Sequence, residues 1–301
     1  VLSGGSSQHE KGGTIAMTSG IGKTSGNILL QSSRGKKESG SVEMLSSDSH
    51  DKSGGISILS GTSSLGTSGD IFVGAGKSAG GGSAFIFGGD SSGISGGRLA
   101  LQGGSSTSFG GSMSLRSGIG RNAGDVTIAV GESSVYQGGR LKVSGGSSEI
   151  AKGGSTFVDG GASTNENGGF VSMNGGDSSV AEGGALNLTS GTSSVLSGVI
   201  SIRSASSLGS TGGIDVSSGA SMTGPSGNVV MASGTATTGS AGALLLRAGS
   251  SSSEAGGSIG IVGGGSFENA RGGSVRITSG GGDESGDIRL ASHPSMFGPS
   301  G

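Results

Sequence analysis

The chain has no cysteine and no tryptophan. The lack of cysteine excludes a disulfide framework, a thiolate zinc site and a cysteine nucleophile. Aromatic residues make up only 3% of the 301 residues. That is too few large side chains for a conventional globular core. Proline is scarce, at 3 residues, and glycine follows no strict three-residue period, so a collagen helix is excluded. Charge is sparse at 13% and nearly balanced, with 18 Lys and Arg against 20 Asp and Glu. The net charge of −2 creates no field of one sign that would draw nucleic acid or an anionic membrane. No apolar run reaches the roughly 18 residues of a membrane-spanning helix.

What the chain has is glycine, 72 residues of it, set among serine and regularly placed aliphatics. An anchor glycine recurs twenty times, from Gly13 to Gly286, at spacings of 13 to 16 residues. The unit is clear in Gly184–Gly198, GALNLTSGTSSVLSG. Two and four residues after each anchor stand apolar residues, here Leu186 and Leu188. Of the 40 such slots only Thr156 is polar. Six residues after the anchor the residue is almost always Ser, Gly or Ala, and a glycine corner usually follows. Serine recurs nine residues after the anchor, as at Ser63, Ser91, Ser133, Ser148, Ser178 and Ser193.

Apolar residues at period two, enriched in β-branched side chains, predict short strands with one buried face. A single such strand cannot bury its face. Stacking twenty does, so the repeat predicts an all-β fold, a β-solenoid of about 20 repeats with one or two repeats per coil. Residues 1–301 then form one continuous solenoid. Residues 1–12 are a partial repeat, 13–290 the regular repeats, and 291–301 a C-terminal partial repeat. Neither end shows a capping helix, which implies a processed segment or a subunit stacking end to end.

Chemistry-bearing motifs are weak. His9, His50 and His293 lie far apart in the sequence. The acidic loops GGGDESGD at 280–287 and GGD at 88–90 and 175–177 have their Asp residues out of register, unlike a calcium-binding nonapeptide repeat. They read as turn residues. Gly-x-Gly-x-x-Gly matches precede no helix and carry no weight for nucleotides. No catalytic residue, metal site or cofactor is expected. The residue between the apolar pair points outward and forms no Thr ladder of the ice-binding kind. Apolar examples at that position, Leu29, Phe72, Phe85, Phe157, Val230 and Leu245, are the candidate lateral-contact residues. Arg34, Lys36, Lys37, Glu38, Asp51 and Lys52 read as a solvated edge. Asn187-Leu188-Thr189 is an N-glycosylation sequon, and the many loop hydroxyls could carry O-linked sugars.

The pattern GG-x-Ile/Leu/Val-x-Ile/Leu/Val-x-Ser-Gly-x-Ser-Ser, over about residues 13–290, resembles the Gly/Ser-rich tandem β-solenoids of extracellular fibre and surface proteins, flagellar hairs among them. That resemblance implies a structural, non-enzymatic protein at the cell surface or outside the cell. Its partners would be itself or related solenoid chains, with covalent glycans possible and no nucleic acid or membrane span. An adhesin stalk or an ice-binding solenoid is the alternative.

Overall fold

The computed structural model describes residues 2–267 and 270–293. Among them there is no helix and no strand. The expectation of an all-β solenoid, with coils of one or two repeats, is therefore overturned. The residues of the C-terminal partial repeat from 294 to 301 lie outside those described.

The chain divides into two units, Val1–Ser144 and Gly145–Gly301. Both use the same local construction. An arm runs from each anchor glycine to the corner position seven residues later. A loop then leads to the next anchor. Among the described residues, thirteen backbone–backbone hydrogen bonds are formed, and all of them close such loops. In each the anchor N–H donates to the carbonyl of the preceding corner glycine, at 2.7–3.1 Å. Examples are Gly97 to Gly89 in the first unit and Gly184 to Gly176 in the second. Each such bond acts as a clasp at the mouth of a loop.

In the first unit clasps hold Gly13, Gly26, Gly97, Gly111, Gly124 and Gly139. Between them, the anchors Gly40, Gly54, Gly69 and Gly82 form none. In the second unit the anchors from Gly154 to Gly198 and from Gly257 to Gly286 are clasped, and Gly212, Gly227 and Gly242 are not. Three unclasped loops begin at a non-glycine corner, namely Ser33, Ser47 and Ala205. Every clasp joins glycine to glycine. Every clasp thus starts from a glycine corner, but not every glycine corner forms one.

The reason for glycine is close approach. A Cβ on Gly97 would lie 2.7 Å from the Gly89 nitrogen, and one on Gly88 would lie 2.6 Å from the Gly97 oxygen. Both neighbours are backbone atoms and cannot swing aside. At Gly81 the requirement is conformational, because its φ is 64°.

Inside the loops serine makes a second local closure. The Oγ of Ser63, Ser133, Ser148, Ser163 and Ser178 each accepts a hydrogen bond from the backbone N–H three residues on, at 2.9–3.0 Å. These are side-chain-to-backbone turns. The Ser-rich segment is therefore a self-closed turn. Replacing Ser148 by Ala is expected to release the Ala151 amide, whose bond to Ser148 Oγ is 3.0 Å long. The loss is about 0.5–1.5 kcal/mol, seen as several-fold faster hydrogen exchange at that amide.

Solenoid strands fail to form because nothing pays for ordering them. A strand ladder needs neighbouring backbones about 4.8 Å apart and a buried face to offset roughly 1–2 kcal/mol of lost backbone freedom per residue. Here each arm offers two aliphatics flanked by glycine. The chain's accessible surface is 30856 Å². A compact protein of 28.3 kDa exposes roughly 11,000 Å², and its unfolded chain about 41,000 Å². No described hydrophobic residue is buried.

Candidate assembly surface

Period-two alternation survives within the arms even without strand pairing. Ile28 and Leu30 are 54% and 63% exposed, whereas Leu29 between them is 77% exposed. Val229, Val230 and Met231 repeat the pattern at 50%, 81% and 59%. The paired slots thus face the more sheltered side of each arm, and the intervening residue faces outward. Leu29, Phe72, Phe85, Phe157, Val230 and Leu245 all lie on that outward side, 72–90% exposed. Phe85 and Phe87, two residues apart, stack with ring centroids 5.9 Å apart and planes 10° from parallel. The paired slots therefore form a half-sheltered apolar side, and in six of the arms a large apolar residue also stands on the open side.

The most sheltered residue is neither of these. Every half-buried described residue sits six residues after an anchor, as Ser19, Gly88, Ser190 and Ala248 do. This slot lies against the clasp, which explains why it holds Ser, Gly or Ala almost without exception. A Cβ on Gly198, for instance, would stand 3.3 Å from the Ser190 Cβ.

The clasp also has a metric consequence that spacing alone does not reveal. Repeat lengths vary from 13 to 16 residues, yet the arm from anchor to corner is always seven. All the variation falls in the loop. Gly124 closes on Gly118, six residues back, and Gly273 on Gly264, nine back, at 3.1 and 2.8 Å. Loops of different length thus present arm ends at the same separation. The signal was present in the sequence as a constant arm and a variable return. The pairing of corner with the following anchor was not.

No group of three or more His, Asp or Glu side chains comes together to hold a metal ion among the described residues. His9, His50 and His293 are exposed, and His50 Nδ1 lies 3.1 Å from its neighbour Asp51 Oδ1. A hollow of about 520 Å³ in the second unit is lined only by the consecutive residues Arg203, Ser204, Ala205 and Ser206. It marks the unclasped corner at Ala205. In the first unit a cleft of about 250 Å³ runs beside Leu101, Gln102, Gly103, Ser112 and Met113, between successive arms. Asn187 is exposed between Leu186 and Leu188. No helix among the described residues is long and apolar enough to cross a membrane.

No family model matches the chain, and neither the curated proteins nor the solved structures contain a significant match.

Proposed function

We propose that this chain is a structural protein that associates with copies of itself, or with related repeat chains, in a filament, sheath or shaft at or outside the cell surface. One observation carries the reading. Thirty-nine of 40 periodic slots are apolar, yet no described hydrophobic residue is buried within the chain. Apolar residues at a fixed period, left open to water over this many repeats, constitute an interaction surface. A partner that covers them must carry matching groups at a matching interval. Another repeat chain does so by construction.

The low and balanced charge supports close packing of many copies, since the net charge of −2 adds little mutual repulsion. The exposed loop hydroxyls and Asn187 are available for covalent glycans in a secreted setting. The reading includes no catalytic step and no cofactor.

Sedimentation velocity and negative-stain microscopy across a concentration series test it. Assemblies that grow at the expense of monomer are expected. A monodisperse monomer at millimolar concentration would overturn the reading.

A further inference from the structure

Two loops stand out in charge. The loop after the second anchor holds Arg34, Lys36 and Lys37 against a single acid, Glu38. The loop before the last anchor holds Asp283 and Glu284 with no basic residue. In both the backbone folds back after a glycine, towards the residue three on in the first and two on in the second. A Cβ on Gly35 would collide with the Glu38 carbonyl oxygen, and one on Gly282 would lie 3.2 Å from the Glu284 carbonyl oxygen. Each loop thus makes a tight glycine turn immediately followed by two like charges, Lys36-Lys37 in one and Asp283-Glu284 in the other. All are exposed. The ion pairs formed among the described residues, His50–Asp51 and Arg289–Asp287, involve none of them.

We infer that the basic loop of one copy docks on the acidic loop of a second copy of this chain. The inference rests on the self-association proposed above and names its polar contact. The occupant follows from charge complementarity. Two adjacent cations following one glycine meet two adjacent anions following another, and none of the four is in an ion pair among the described residues. Where the two loops of one copy engage two different neighbours the contact is heterologous, and it then propagates from copy to copy into a ring or filament. The apolar rows supply adhesion, and the charged loops select which part of one copy meets which part of the next.

Charge reversal with complementation tests this on the full chain. The first variant carries Arg34→Glu, Lys36→Glu and Lys37→Glu, and the second carries Asp283→Lys and Glu284→Lys. Each alone is expected to need about tenfold more protein, or more, to assemble. An equimolar mixture is expected to assemble at the wild-type concentration. The differences should close in 1 M salt, where the Debye length is about 3 Å. A comparison variant with Asp177→Lys and Glu182→Lys, a more dispersed acidic pair, should behave as wild type. If the wild type assembles but the two reversal variants match it, or their mixture is no better than either alone, the loop contact is wrong while self-association stands. Equal damage from the comparison variant also refutes the loop contact. A wild type that never assembles removes both.

Discussion

A chain carrying Leu186→Ser, Leu188→Ser, Ile200→Ser and Ile202→Ser is expected to assemble only at about a thousandfold higher concentration than the wild type. These four residues occupy the paired slots of two successive arms. In the single chain they retain 53–70% of their exposure. Covering what remains contributes about 1–2 kcal/mol for each side chain. Four substitutions therefore remove at least about 4 kcal/mol from the association free energy, which is the stated factor. The loop aliphatics provide the comparison. Val180, Val195, Leu196 and Leu208 are 83–111% exposed and lie outside the arms. Replacing those four by Ser should leave the threshold within a few-fold of wild type. Light scattering against concentration reads both. Equal effects from the two sets would mean that general hydrophobicity, and not the periodic row, drives association.

The second large effect concerns the clasp at Gly89 and Gly97. Gly97→Ala is expected to break it, because the new Cβ would stand 2.7 Å from the Gly89 nitrogen. Gly88→Ala should break it from the other side, with its Cβ 2.6 Å from the Gly97 oxygen. Gly89→Ala should not, since nothing lies within 4 Å of a Cβ there. The three glycines flank one hydrogen bond, Gly97 N–H to Gly89 oxygen at 2.7 Å. Its loss with the accompanying shift of the backbone costs about 1–3 kcal/mol. Exchange of the residue-97 amide should therefore quicken roughly ten- to a hundredfold in the first two variants and stay near wild type in the third. A uniform response to all three would indicate a general preference for glycine and not a steric clasp. An opened clasp also spreads the ends of successive arms, so the first two variants should assemble poorly as well.

Much of the local construction was legible in the residues. Leu186 and Leu188 share a side of their arm, and Asn187 takes the other, because extended backbone alternates its side chains whether or not it is paired. Ser148 and Ser178 mark turns, because a serine oxygen reaches a backbone N–H a few residues on without help from distant residues. The corner and anchor glycines mark places where the backbone closes tightly.

Partnership between arms was not legible. The same alternation that predicts a stacked solenoid is compatible with arms that never pair, because stacking depends on burial between residues distant in sequence. Two aliphatics per repeat, bordered by glycine, leave too little apolar surface to order a coil of 13 to 16 residues. Structure assigned thirteen of the glycines their partners among the described residues, joining a corner to the next anchor, and placed the small residues of the sixth slot on the sheltered side beside it. It also left the aliphatic rows uncovered. Short-range geometry is thus set by residue type and spacing, whereas the covering of a surface depends on what else is there to cover it.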